Sequence, residues 1–268
     1  MKNFENKVVV ITGAGSGIGR ALALAFKKLG AKLAINDNNE IALLETVALA
    51  GGPENTFYQA FDVADKAAFY QFADKVITHY GRVDLVINNA GVAIFKLTAA
   101  EVSIEDYVWI MVINLWGMMY GSLAFLPHLR KQTESGIVNV SSIFGVLGFP
   151  YQAAYCTTKF GIRGFTESLA LEERVLKTGV TVTSVHPGGI KTNIARNARY
   201  ANDENAIKQA ETLFITTPEK AAETIIAGIK RKKMRVLVGP DAKLLYFLTR
   251  LSPGFVRWYL IRFANQWE

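Results

Sequence analysis

Residues 7–30 read KVVVITGAGSGIGRALALAFKKLG. The β-branched run VVVI is a strand candidate, the glycines at 13, 15, 17 and 19 permit a sharp turn, and ALALAFKKLG repeats its apolar residues at helical spacing. A strand, a glycine turn and a helix in immediate succession favour an anion, because backbone amides and the positive end of the helix dipole point into the turn. The spacing is Gly-x3-Gly-x-Gly rather than the commoner Gly-x-Gly-x-x-Gly of dinucleotide-binding turns. It predicts a pyrophosphate seat at Gly13, Ser16, Gly17, Ile18 and Gly19.

Outward from this unit the alternation continues. AKLAIND, TFYQAFDV, VDLVINNAG, GIVNVSS, VTVTSVHPG and RVLVG are further strand candidates, several of them apolar nearly throughout, as strands covered on both faces are. Helical patterns fall near residues 17–30, 39–50, 65–80, 101–131, 152–178 and 218–231. The chain therefore reads as an α/β protein with a doubly wound parallel sheet over residues 1–240 and a C-terminal extension over 241–268. Half of the residues are hydrophobic, ample for a buried core. One cysteine, Cys156, excludes an internal disulfide, and with His79, His128 and His186 scattered along the chain no metal site is expected. The VVVI run is too short for a signal-peptide core or a bilayer span, so a cytoplasmic location is expected.

Asp37 ends AKLAIND. A carboxylate there can accept bonds from the adenosine ribose hydroxyls and repels a 2′-phosphate. The residues after it are Asn38 and Asn39, and position 16 is serine, so no cation stands ready for that phosphate; NAD is expected over NADP. Asp37 could also serve as a helix N-cap.

The net charge of +7 is unevenly placed. Residues 230–268 hold nine basic side chains against Asp241 and Glu268, which accounts for the whole excess. Without a nucleic-acid recognition motif, a basic and aromatic tail points to a membrane surface rather than to a nucleic acid. Within it, Leu244, Leu245, Leu248 and Leu251 recur at helical spacing, Ser252-Pro253-Gly254 breaks the run, and Phe255, Trp258, Tyr259, Leu260, Ile261, Phe263 and Trp267 follow with Arg257 and Arg262 among them. Such a segment suits peripheral membrane contact, or packing over the chain's own pocket or a sister subunit.

In the middle of the chain, AYCTTKF sets Tyr155 and Lys159 four residues apart, on one face of a helix. A phenol has an ordinary pKa of about 10 and becomes a useful acid–base group only with a cation beside it. Chance alone supplies about one such pair in a chain of this composition, so the surroundings decide its meaning.

Those surroundings resemble the short-chain dehydrogenase/reductase family, in order, over about residues 7–240. TGAGSGIG looks like the family's cofactor loop. Asp62 and Val63 in FDV are similar to its adenine-binding segment, and Asn89, Ala90 and Gly91 belong to an NNAG element. Asn114 sits where the family has a catalytic asparagine. Ser142, thirteen residues before Tyr155, completes a Ser…Tyr-x3-Lys pattern. HPGGIKT, with Pro187, Gly188, Ile190 and Thr192, looks like the segment on the nicotinamide side. Thr158 and Cys156 depart from the usual residues without removing a required group.

The resemblance implies a Rossmann-type fold and hydride transfer between NAD and an alcohol or carbonyl substrate, in a homodimer or homotetramer built on the helices at 101–131 and 152–178. Tyr155 would be the general acid or base, Lys159 would lower its pKa and hold the nicotinamide ribose, Ser142 would bind the substrate oxygen, and Asn114 would hold a water linking Lys159 to solvent. An NADP-dependent carbonyl reductase and a non-catalytic NAD-binding regulator are the alternatives. A lid over about 190–217 includes Ile194, Tyr200, Leu213 and Phe214, and IFGVLGFPY after Ser142 adds Phe144, Phe149 and Tyr151. With Phe95 these apolar groups suit a steroid-, retinoid- or long-chain-like substrate.

Overall fold

β1 (Val8–Thr12) buries both faces: Val9 and Ile11 enter one core, Val8 and Val10 the other. That two-sided burial is why the strand is apolar throughout rather than alternating. The computed structural model describes residues 1–264, with the backbone alone at Phe263; the Phe263 side chain and Trp267, both counted in the aromatic tail, lie outside the described residues.

Seven parallel strands follow the order β3-β2-β1-β4-β5-β6-β7. They are β2 (Lys32–Asp37), β3 (Thr56–Ala60), β4 (Leu85–Asn88), β5 (Ser135–Val140), β6 (Val180–Pro187) and β7 (Arg235–Val238), beside β1. This is the expected doubly wound Rossmann-type sheet, with all seven strand candidates realised. On one face α1 (Gly17–Lys28), α2 (Glu40–Leu49) and α8 (Pro218–Lys230) cover the sheet. On the other lie α3 (Lys66–Tyr80), α5 (Gly117–Leu129) and α6 (Ala153–Val175). α7 (Glu204–Glu211) lies within the segment 190–217 expected to form a lid, and α9 (Pro240–Leu251) and α10 (Pro253–Ala264) follow β7.

The helix expected over 101–131 is in fact three pieces. α4 (Ile104–Met111) passes through a π-helical turn at Val112–Trp116 into α5. Ser103 caps α4 by accepting from the Asp106 amide at 3.1 Å. The run Ile104–Leu129 has the length and the mean hydropathy (1.5) of a bilayer span, but it packs on β4, β5, α3 and α6.

A buried polar seam joins these helices to the sheet. Asn88 Nδ2 donates to Ser122 Oγ at 3.0 Å and to Asn139 Oδ1 at 2.8 Å, and Asn139 Nδ2 donates to Thr166 Oγ1 at 3.0 Å. α5 approaches β4 closely at Gly121, where a Cβ would collide with Asn88 Oδ1 and lie 2.7 Å from Phe69 Cζ. Gly121→Ala sets a helix-propensity gain of about 1 kcal/mol against overpacking and a disturbed polar seam. The overpacking should win by about 2 kcal/mol, lowering the melting temperature by about 4–8 °C; a calorimetric scan of the variant checks this.

Candidate active site

The strand order reverses between β1 and β4, and at their carboxyl ends a cavity of about 620 Å³ opens. Its floor at one end is the glycine turn. Gly13 (φ +64°) and Gly17 (φ +51°) take left-handed backbone, and a Cβ would sit 2.8 Å from Ala90 Cα at the first and 2.9 Å from Thr192 Cγ2 at the second. Ser16 begins α1 without a side-chain cap, and no acid stands in the first turn. The positive end of α1 is therefore offered to the cavity instead of being neutralised internally. Gly19 is the exception among the expected loop residues: it packs against the Gly13 carbonyl beneath the turn and does not line the cavity.

Neighbouring strands hold the turn in place. Asn89 Nδ2 donates to the carbonyls of Thr12 and Gly13 at 3.0 and 3.1 Å. The Asn89 and Ala90 amides donate to Thr12 Oγ1. Asp37 accepts from the Gly15 amide at 2.8 Å and from the Asn39 amide at 2.9 Å. The N-cap of α2 is Asn39, not Asp37, which leaves the Asp37 carboxylate on the cavity wall with Asp62 and Val63. Arg20 reaches this region, but its guanidinium is engaged by Glu45, Thr46 and the carbonyls of Gly15 and Ala42.

At the other end, β5 and α6 bring Ser142, Tyr155 and Lys159 onto one wall with Pro187, Gly188 and Ile190. Ser142 opens a short 3-10 turn, its hydroxyl accepting from the Phe144 amide at 3.1 Å. Lys159 is buried, donates to the Val140 carbonyl at 3.1 Å, and stands 5.3 Å from the Tyr155 ring centroid. Burial pushes the Lys159 ammonium down to about 8. It pushes the Tyr155 phenol above its usual range, opposed by the neighbouring Ser142 hydroxyl. This differs from the expected lowering of Tyr155 by Lys159: desolvation dominates, and the ammonium lies over the ring face with its proton given to Val140.

Asn114 lies in the π turn. Its Oδ1 accepts from the Val92 amide at 2.8 Å, and its Nδ2 donates to the Val92 carbonyl at 2.9 Å and to Thr158 Oγ1 at 3.2 Å. It clamps the loop that follows NNAG to the helix carrying Lys159. His186 had no role in the sequence reading. It is buried at the end of β6, with Nδ1 2.9 Å from the Ser142 carbonyl and Nε2 2.9 Å from Ser184 Oγ. Its place directly before the Pro-Gly segment was the available signal.

Of the aromatic residues expected to meet substrate, Phe214 lines the cavity. The other five lie outside the lining. Phe144 and Phe149 stack on each other, ring centroids 4.7 Å apart, and pack with α9 and α10. Phe95 is core to the lid. Tyr200 donates to Asp106 at 2.6 Å, and Tyr151 occupies a left-handed corner (φ +60°) before α6. The apolar lining instead includes Val92, Trp109, Ile113 and Ile194. Trp109 is stacked beneath the Arg199 guanidinium at 3.7 Å, and Arg199 and Tyr200 both bind Asp106, tying the segment after the Pro-Gly turn to α4. The Tyr200 hydroxyl and then the Arg199 guanidinium hold the Asp106 carboxyl below its usual range. No cluster of three potential metal ligands occurs among the described residues.

Comparison with known proteins gives this geometry its relatives. Residues 7–203 match the profile of the short chain dehydrogenases. SadH of Mycobacterium tuberculosis, an oxidoreductase by name, is 44% identical over 256 residues, covering 94% of this chain and 92% of its own. Dehydrogenase/reductase SDR family member 7B of Bos taurus is 32% identical, covering 93% and 79%. A short-chain dehydrogenase/reductase from Burkholderia phymatum, solved in complex with NAD, superposes with a TM-score of 0.86 at 28% identity, over 95% of this chain and 96% of that one.

Burial holds the His186 imidazole down to about 4, chiefly by desolvation. Between pH 4 and the ordinary value of about 6.5 the unfolded chain binds a proton that the folded chain refuses. This contribution, about 3 kcal/mol at most, is present above pH 6.5 and lost as pH falls toward 4. His186→Asn keeps a donor facing Ser142 and removes the titration. Urea unfolding across this range should show a shallower acid loss for the variant than for the wild type.

Proposed function

The chain belongs to the short chain dehydrogenase family of oxidoreductases, and from that premise we propose that it is an NAD-dependent dehydrogenase interconverting an apolar secondary alcohol and its ketone. The observation that carries this reading is one cavity with an uncapped helix start and a bare glycine lip at one end and the Ser142–Tyr155–Lys159 wall at the other. A dinucleotide fits that donor set: amides of Gly17 and Ile18 for phosphate oxygens, Asp37 for ribose hydroxyls, Asp62 and Val63 for adenine, and Asn89, Ala90, Gly91, Pro187, Gly188, Ile190 and Thr192 toward the nicotinamide. Residues 1–240 form the cofactor-binding and catalytic unit, with the lid at about 190–217 and the extension at 241–268. The cofactor, when bound, accepts the hydride in oxidation and donates it in reduction.

The protein's own groups handle the proton. The Tyr155 phenol is protonated near neutral pH and can give that proton to a ketone oxygen; burial, which holds it above its usual range, works against this transfer, and the charge of Lys159 beside the ring works for it. In the reverse direction it takes the alcohol proton, and nearby positive charge from Lys159 favours that step. Ser142, lining the cavity with Tyr155, can offer its hydroxyl to the same substrate oxygen and stabilise developing negative charge. Because the Asn114 carboxamide is engaged at both ends, a water linking Lys159 to solvent would use the main-chain carbonyl of the π turn.

Asp37 and the engaged Arg20 support NAD over NADP, as does the NAD complex of the Burkholderia relative. Val92, Trp109, Ile113, Ile194 and Phe214 support an apolar substrate. The exposed apolar residues Ile104, Val108, Trp116 and Leu123, with Phe160 and Leu171 on α6, support a homodimer or homotetramer.

Tyr155→Phe should lower turnover by about 10²–10⁴-fold, the usual worth of general acid–base catalysis, while NAD binding followed by fluorescence changes little. Undiminished turnover would remove Tyr155 from the mechanism. Asp37→Ala combined with Asn38→Arg should move kcat/KM from NAD toward NADP by about two orders of magnitude, since a like charge against the 2′-phosphate costs several kcal/mol. An unchanged cofactor ratio would dismiss Asp37 as the discriminator.

A further inference from the structure

The extension faces two ways. Inward, Ala242, Val256 and Leu260, with the half-buried Leu245 and Leu248, pack on Ile143, Leu147, Phe144 and Phe149. Outward, Leu244, Phe247, Leu251, Phe255, Trp258 and Ile261 are exposed, from 49% at Phe255 to 69% at Leu251. Six large apolar side chains turned to solvent on two adjoining helices form a larger patch than scattered surface residues do.

The charges around them have one sign. Lys243, Arg250, Arg257 and Arg262 are exposed and form no ion pair among the described residues. Asp241, the one carboxylate in 240–264, is turned inward and accepts from the Gly189 amide at 2.6 Å. Arg235, next to the extension, is already held by Glu167 and Tyr246. The Arg262 guanidinium lies 5.5 Å from the Trp258 ring, a cation beside an amphipathic ring.

We propose that the outer face of α9 and α10 docks this protein peripherally on an anionic lipid surface. Exposed Phe, Leu, Ile and Trp can enter the headgroup–acyl boundary while the four cations stay with the lipid charges. Two 12-residue helices broken at Ser252 are too short to span a bilayer and carry too much charge. Self-pairing of this face about a twofold axis would bring four cations against four, with no outward carboxylate among the described residues of the extension to separate them. A polyanion such as a nucleic acid would use the cations and leave the apolar stripe wet.

The test is flotation of the full-length protein with vesicles of phosphatidylcholine alone and of phosphatidylcholine mixed with phosphatidylserine. The wild type should float with the anionic vesicles and bind the neutral ones at least about tenfold more weakly, given about fivefold for each surface cation. The double substitution Phe247→Glu with Trp258→Glu, at two exposed positions remote from the cavity lining, should abolish flotation without changing the melting temperature or lipid-free sedimentation. Failure of the wild type to float overturns the proposal. So does undiminished flotation of the double variant, which would indicate attraction by charge alone. A smaller lipid-free assembly for the variant would overturn it in favour of a subunit interface. None of these readouts depends on the catalytic assignment.

Discussion

A buried ammonium is the constraint around which the closed end of the cavity is built. An ion taken from water without a partner costs several kcal/mol, and Lys159 is compensated by a single carbonyl, that of Val140 at the end of β5. Its own main-chain carbonyl accepts from Ser141 Oγ at 2.8 Å, tying α6 to the same strand end a second time. The 3-10 turn must then pass without a side chain, because a Cβ at Gly145 would strike Ser141 Oγ and lie 2.6 Å from the Lys159 carbonyl. On the opposite side a Cβ at Gly91 would lie 3.4 Å from Lys159 Nζ and 3.2 Å from Asn114 Oδ1. The stretch 140–145 and the loop at Gly91 thus converge on Lys159, and Tyr155, a turn earlier on the same helix, is carried to its position by that convergence.

Deeper in the sheet the same seam continues in neutral polar groups. Asn88, Ser122, Asn139 and Thr166 bond one another where a doubly wound core is normally apolar. A network of this kind is costly if half satisfied, so it fixes the register of α5 and α6 on β4 and β5 more tightly than apolar packing alone. The π turn at Val112–Trp116 lies in the same chain segment, between α4 and α5. It sets Asn114 against Val92 and Thr158 at once.

What the sequence made legible follows from which interactions are local. Strand burial and glycine turns are short-range patterns, so the sheet and its glycine turn could be read directly, while Ser142, Tyr155 and Lys159, picked out by their spacing, share one cavity. The π turn was hidden because one extra residue per turn leaves the apolar pattern of YVWIMVINLW unchanged. Asp37 was the residue read as a possible cap, and the backbone geometry gives that place to Asn39. Hydrophobicity alone could not say whether Phe144 and Phe149 face a pocket or a neighbouring helix, since both environments reward the same side chains. Their partners, Val256 and Leu260, lie more than a hundred residues away in sequence. Trp109 and Ile113 were missed for the converse reason: in a helix apolar on every side, nothing local marks the face that meets the cavity.

The extension is joined to the catalytic end too firmly to be an ornament. Asp241 accepts from the Gly189 amide beside the Pro-Gly segment, and a Cβ at Gly188 would collide with the same carboxylate. Phe144, packed beneath the extension, meets Tyr155 edge-on at 6.3 Å. These contacts fix which side of α10 is inside: Val256, Leu260 and Ala264 recur every four residues along the buried stripe. With one face so determined, a surface helix ordinarily places charged residues opposite. α10 places Phe255, Trp258 and Ile261 there instead, three residues apart and flanked by Arg257 and Arg262. A helix apolar on both faces belongs in a core or at a lipid boundary, and the core of this chain accounts for only one of them.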